Sequence, residues 1–508
     1  MNTTNHVDGH PPESAAIPAQ NSDRLPPGQL FMDGAWCDSR ASQRRTVVNP
    51  ATGLVITTAA EADAEDVSAA VAAARQAFDT GAWPRMPGRE RARTLFRVAE
   101  LIRTHADELA MLETTDTGKP LQLSKMVDIT TTIDLFEYYA ALAWSIDGAT
   151  RQTAAPMLAY TRREPLGVVA AITPFNFPLV LSVTKIAPAL AAGNTMVHKP
   201  ADETPLTALR LAELLHEAGV PDGAFNVVTG GGKTGEHLVR HPQVDKIAFT
   251  GSTTTGRRVA ALAAETVKPV TVELGGKSAN IVFADADPVS AIAASVTAFV
   301  FNTGQFCAAG TRLLVQRPVF DDVVAGVTAG ASTIPVGDPL SPHTVIGPLA
   351  GQRHLDKVRH HVDRAVREQG ATLLAGGERL ADTDGYFYAP TVLADVDQHA
   401  AAVQEEIFGP VLTVQPFDTE EEAIMLANGT AYGLAAGLHT TDVSRAHRVA
   451  ERLRAGTVWV NTWGMLDVTV PFGGCKQSGY GREQGPEALA EYTQTKSVLV
   501  AVAPDAAG

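Results

Sequence analysis

Two hydrophobic periods divide this chain. Residues 66–78 (DVSAAVAAARQAF) and 89–105 (RERARTLFRVAELIRTH) place apolar positions at helical spacing, with charges between them in the second, which predicts two helices. Further helices are predicted over 106–115, stopping at DTGKP, and over 128–144. Ahead of them, LFMDGAW from Leu30 joins an apolar stretch to a DG turn, a hairpin signal, and NPATG at 49–53 is another turn. After Pro165 the pattern changes to short apolar runs alternating with helical ones. Residues 167–172, 194–198, 225–229 and 246–250 read as strands, with helices over about 179–192 and 206–218, the latter stopping at Gly219. A second series follows Glu273, with strands expected at 280–283, 311–315 and 412–417. This alternation predicts an α/β chain of mostly parallel sheets with helices on both faces. Residues 151–163 and 495–502 read instead as extended segments. Residues 1–28, rich in Pro, Ser, Asn and Asp, are expected to form a disordered extension.

Composition narrows the class. At 508 residues the chain is too long for one core, so two or three domains are expected. A net charge of −15 argues against nucleic acid and acidic membrane surfaces as partners. No apolar run is long enough to span a bilayer, and the N-terminus lacks a basic-then-apolar secretory pattern. The cysteines, Cys37, Cys307 and Cys475, are odd in number and far apart, which fits a reducing compartment. The cytoplasm is the expected location.

The chemistry gathers around FNTGQFCAAGTR, residues 301–312, with Cys307 at its centre. Small neighbours leave room for a substrate and for backbone N–H groups; a lone Cys is otherwise an inert core residue. Upstream, Glu273 ends an apolar run in VELGGKSAN, just before Gly275 and Gly276, a place suited to a general base. FTGSTTTG, residues 249–256, follows a strand and opens a helix, so its N–H groups can face a phosphate, although alone it is only a turn. A thiol, a carboxylate and such a turn point to covalent catalysis beside a nucleotide.

VELGGK, GQFC, TPFNFP, KPADETP, FTGSTTTG, EEIFGPV and PFGGCKQSGYGRE, in this order and spacing, resemble the aldehyde dehydrogenase superfamily from about Leu30 to about Val502. The resemblance implies an aldehyde dehydrogenase-like fold with two Rossmann-like parallel-sheet domains and a small β oligomerisation arm. The implied boundaries are 29–145 with 164–275 for NAD(P) binding, 276–486 for catalysis, and 146–163 with 487–503 for an arm that pairs across subunits of a homodimer or homotetramer. It implies that Cys307 attacks an aldehyde carbon, hydride leaves to a nicotinamide, and water activated by Glu273 hydrolyses the remaining thioester. Family members that acylate coenzyme A commonly lack this base, so Glu273 favours a free acid. Asn176 and the Cys307 N–H would form the oxyanion hole, and Lys185 would support Asn176 and proton relay.

For the cofactor, the resemblance implies Ile172, Thr173, Phe175, Lys199, Gly231, Gly235, Phe249, Gly251, Ser252, Gly256, Glu406 and Phe408. Asp202 stands where the family usually has a Glu on the ribose hydroxyls. A carboxylate there disfavours a 2′-phosphate, but the shorter side chain leaves room and Lys199 could meet one. NAD is expected, with NADP tolerated. The substrate channel is expected to involve Phe177, Leu181, Thr184, Phe306, Trp463, Leu466 and Phe472. These walls carry no Arg or Lys, which favours a bulky aromatic or terpenoid aldehyde over a dicarboxylic semialdehyde. Cys475 is expected to pack structurally. The alternatives are a broad semialdehyde dehydrogenase, a thiol esterase-type hydrolase, and a non-catalytic structural protein that kept the fold.

Overall fold

The computed structural model describes residues 25–381 and 383–502. The expected extension falls on 1–24 outside the described residues. Of its last four positions, Leu25 packs on a small apolar cluster of Val47, Ala59, Leu112 and Leu206.

An eight-stranded sheet organises the first half of the chain. Its centre is five parallel strands, Phe225–Val227, Thr195–Lys199, Val168–Ile172, Lys246–Thr250 and Val270–Glu273, in that spatial order. Taken in chain order they run 3-2-1-4-5, so the strand order reverses between Val168–Ile172 and Lys246–Thr250. The register brings their carboxyl ends level: Ile172 pairs with Lys199 and Phe249, and Thr250 with Glu273. A crevice at such a reversal is where doubly wound sheets receive ligands. The hairpin Leu30–Met32/Ala35–Cys37 extends one edge and Gly479–Tyr480 the other.

The second sheet has seven strands in the order Thr372–Ala375, Thr391–Ala394, Val411–Phe417, Arg312–Gln316, Ala279–Val282, Ala435–His439, Thr457–Val460. All pair in parallel except the first. Several of these strands escape periodicity. Ala435–His439 (AAGLH) is buried throughout and carries a glycine, so no alternation marks it. The third sheet joins Thr493–Ala501 to Met157–Pro165 in a nine-pair antiparallel ladder, with Thr150–Arg151 at its edge.

The helix expected over 128–144 is built differently. An α-helix covers Thr130–Leu142, and a π-turn, Ser124–Ile129, precedes it. The wider turn places Asp128 inside, where Lys119 Nζ donates to it at 2.7 Å.

Candidate active site

Glu273 ends its strand with a carboxylate only 4% exposed, and among the described residues neither oxygen has a hydrogen-bond partner. Burial and the neighbouring Glu483 push its pKa well above the carboxylate range, and Lys185 and Arg482 pull it partly back. A Cβ on Gly473 would lie 2.7 Å from Glu273 Oε1, so the glycine of PFGG admits the carboxylate. The glycines after Glu273 serve close approach as well. A Cβ on Gly275 would lie 2.3 Å from Glu406 Oε2, and one on Gly276 would lie 2.3 Å from the Cys307 carbonyl oxygen. Gly276 N donates to Glu406 Oε1 at 3.0 Å. Glu406 is thus docked on the backbone that touches Cys307. The Cys307 thiol is partly buried, and burial, Glu406 and Glu273 all raise its pKa.

The loop carrying Cys307 turns through three consecutive left-handed residues, Asn302, Thr303 and Gly304, at φ 49°, 59° and 68°. Glycine is required at the third, because a Cβ there would sit 2.2 Å from the Gly409 backbone. Asn302 pins the turn: its side-chain amide donates to the carbonyls of Asn176 (2.9 Å) and Gln305 (3.2 Å). Asn176 Nδ2 donates to the same Gln305 carbonyl at 3.0 Å. One amide N–H is therefore anchored two residues before Cys307, and the second is left to donate elsewhere.

Lys185 lies in the helix Pro178–Ala192 and is fully buried. It makes no hydrogen bond to Asn176, contrary to the expectation that it supports that residue. Its Nζ donates to Glu483 Oε1 at 2.5 Å and Thr250 Oγ1 at 2.7 Å. An ammonium in the interior needs a counter-ion, and Glu483 is closer to that need than a neutral amide. Sequence reasoning missed Glu483, although it closes the GYGRE segment of a motif already noted.

The crevice at the sheet reversal holds the remaining candidates. Ser252 caps the twelve-residue helix Thr253–Ala264, accepting from Thr255 N at 3.3 Å. A Cβ on Gly251 would meet the Phe249 ring at 2.6 Å, and one on Gly256 would meet Leu274 at 2.2 Å. The cap takes Thr255 N, so a phosphate here would meet the earlier N–H groups, of Thr253 and Thr254, at the positive end of the helix, and the residues present fit a nucleotide. Thr173 is turned inward, its hydroxyl bonded to His198 Nε2 at 3.0 Å. Lys199 Nζ donates to the Pro200 and Gly230 carbonyls at 2.7 and 2.8 Å, so it is not the loose cation imagined for a 2′-phosphate. Asp202 is paired instead with Arg45, at 2.9 Å, from the strand Arg44–Val48. A Cβ on Gly231 would lie 2.9 Å from Arg45 Nη2, while Gly235 faces the Lys199 stem at 3.6 Å. Phe175 and Phe408 meet edge to face at 5.8 Å, with His354 completing an aromatic triad and bonding the Phe408 carbonyl at 2.6 Å.

Phe177, Phe301 and Phe306 form a second aromatic triad, with centroids 5.5 to 6.0 Å apart. Leu181, Phe472 and Cys307 pack against the large apolar core that also contains Phe177 and Phe306. Phe301, which is not among the expected walls, completes this triad. The structure does not gather all the expected walls. Leu466 is 46% exposed. Thr184 is buried with its hydroxyl on the Leu181 carbonyl at 3.0 Å. Trp463 lies beneath the cysteine loop, where Gly310 and Gly437 make room for its ring. Behind the triad stands a charge: Lys119 Nζ is 4.1 Å from the Phe177 centroid.

The sequence model of the aldehyde dehydrogenase family matches residues 36–498, which include every residue of this site. The chain belongs to that family. It is an oxidoreductase acting on aldehydes, like its named relatives. A betaine aldehyde dehydrogenase of Vibrio vulnificus strain CMCP6 is 48% identical over 89% of this chain and 93% of its own length. A phenylacetaldehyde dehydrogenase of Pseudomonas fluorescens is 45% identical over 96% of this aldehyde dehydrogenase and 98% of its own length. Among solved structures, the NAD+ complex of an aldehyde dehydrogenase from Bacillus cereus superposes with a TM-score of 0.92 at 44% identity, covering 94% of this chain and 96% of that one. No helix among the described residues is long and apolar enough to cross a membrane, and no metal-binding cluster of His, Cys, Asp or Glu occurs among them.

Proposed function

We propose that this enzyme oxidises bulky apolar aldehydes, aromatic ones first, to free carboxylic acids with NAD, through a covalent adduct on Cys307. The aromatic triad of Phe177, Phe301 and Phe306, in which Phe306 adjoins Cys307 in the chain, carries this reading. An aryl ring gains offset or edge contacts there that a small aliphatic aldehyde cannot. The phenylacetaldehyde dehydrogenase of Pseudomonas fluorescens, matched over almost its whole length, supports the same class.

Cys307 acts as the nucleophile after losing its proton. The free Asn176 N–H and the Cys307 N–H stabilise the oxyanion of the thiohemiacetal. NAD, when bound, supplies the acceptor for the hydride. The cofactor would be held by the capped helix start at Ser252, by Lys199 and Asp202, and by Glu406 and Phe408. Glu273, buried and without a hydrogen-bond partner among the described residues, with a raised pKa, takes a proton from the water that hydrolyses the thioester. Lys185 and Glu483 lie on its route for proton return. The two parallel sheets serve as nucleotide and catalytic units. The ladder of Thr493–Ala501 on Met157–Pro165, with Leu158, Leu499 and Val500 exposed, serves self-association.

Initial rates of NADH formation across phenylacetaldehyde, benzaldehyde, citral, propanal, succinate semialdehyde and betaine aldehyde test this reading. The highest kcat/KM is expected for an aromatic aldehyde. A clear preference for betaine aldehyde or succinate semialdehyde would overturn the substrate class.

A further inference from the structure

Arg45 is a half-exposed cation paired with Asp202. Its guanidinium crosses from the Arg44–Val48 hairpin strand to Asp202, with Nη1 to Oδ2 at 2.9 Å. Its Nη2 donates to both Glu61 carboxylate oxygens at 3.0 and 3.2 Å. Arg45 Nε is buried and has no hydrogen-bond partner among the described residues. The side chain is 41% exposed, so it can change partners without crossing a packed core. Gly231 sets the distance, since a Cβ there would lie 2.9 Å from Nη2. Lys199 cannot play this part, because two backbone carbonyls hold its buried ammonium.

Asp202 and Glu61 already occupy this guanidinium, which favours a ribose hydroxyl over a phosphate. The planar fork of an arginine is nevertheless the best protein donor for phosphate oxygens. We infer that Arg45 sets cofactor selectivity: it holds Asp202 when the ribose carries a free 2′-hydroxyl, and exchanges its carboxylates for the phosphate when NADP binds. Glu61 is then the competitor that limits NADP affinity. This rests on the proposed reading of the crevice as the adenosine ribose site.

The test measures dissociation constants of NAD and NADP by quenching of tryptophan fluorescence, with initial rates beside them, in the full chain. In Arg45→Gln, NADP affinity is expected to fall roughly ten- to hundredfold more than NAD affinity, the loss of a charge-assisted contact. Arg45→Lys should fall between Gln and the parent, because it keeps the charge without the fork. Glu61→Gln should tighten NADP several-fold and move NAD less, a gain of binding that misfolding cannot mimic. An unchanged NADP-to-NAD ratio in Arg45→Gln and Glu61→Gln, or a parent enzyme that binds NAD but no NADP, overturns the inference. A parent that binds neither nucleotide overturns the cofactor reading itself.

Discussion

Lys185 Nζ and Glu483 Oε1 meet at 2.5 Å although 298 residues separate them in sequence. The pair is buried beside Glu273, and Glu483 raises the Glu273 pKa while Lys185 lowers it. Glu483→Gln removes the negative neighbour and leaves the ammonium, so both changes act to lower the Glu273 pKa. The acid limb of the kcat profile should therefore move to lower pH. With the proton route broken, kcat itself should fall by roughly 10- to 100-fold. Steady-state rates from pH 5 to 9 check both, and an unmoved limb would separate Glu483 from the base.

Glu273→Gln should keep acylation and lose hydrolysis. Rapid mixing with an aromatic aldehyde should give a burst of one NADH per active site and then a stalled thioester. Cys307→Ala should give no burst. Full steady-state turnover by Glu273→Gln would remove Glu273 as the base.

Asn176→Ala removes an N–H donor while Asn302 still holds the loop through the Asn176 and Gln305 carbonyls. The barrier should rise by about 3 kcal/mol, on the order of 100-fold in kcat, with a much smaller change in nucleotide affinity. Pre-steady-state acylation rates together with nucleotide titration distinguish this from a folding defect.

The Cys307 thiol should be slow to alkylate at neutral pH in the free enzyme, because burial and two carboxylates hold its proton on. Iodoacetamide inactivation should accelerate steadily toward alkaline pH. Glu406→Gln removes the larger of the two carboxylate effects on the thiol, lowers its pKa and should speed inactivation at a fixed neutral pH. Equal rates would mean that Glu406 does not hold the thiol down.

Lys119, Asp128 and Glu113 form a fully buried cluster, with Lys119 Nζ 2.7 Å from Asp128 and 3.7 Å from Glu113. Burial and Asp128 push Glu113 up to about 8, so it carries its proton at neutral pH. A raised carboxylate pKa contributes stability in full at acid pH and loses it as pH rises through about 8. Lys119→Met strands Asp128 without a counter-ion and should destabilise by about 3–5 kcal/mol. Glu113→Gln imitates the protonated acid and should cost under about 1 kcal/mol. Urea unfolding midpoints at neutral pH should rank the two variants in that order.

Much of the fold was legible because its signals are local. Strand runs such as 246–250 and the helix start at Ser252 are written in adjacent residues, and the structure places them within a residue or two. The π-turn at Ser124–Ile129 was not legible, because Asp128 turns inward for a lysine that only the fold brings near. The sequence shows Gly275 and Gly276 only as neighbours of Glu273, whereas Glu406 and the Cys307 carbonyl require them, both from other parts of the chain.

The sequence by itself determined the strand–helix order and the motifs around Cys307, Glu273 and Asn176, since these depend on neighbours within a few positions. Only the tertiary structure decided that Lys185 answers to Glu483, that Arg45 rather than Lys199 pairs with Asp202, and that Phe301 stacks on Phe177. Those are choices of partner for buried charges and rings across 100 or more residues of chain, and no periodicity records them. For the buried Lys185 the choice follows from desolvation, which forces an interior charge to take whichever opposite group the packing brings within reach.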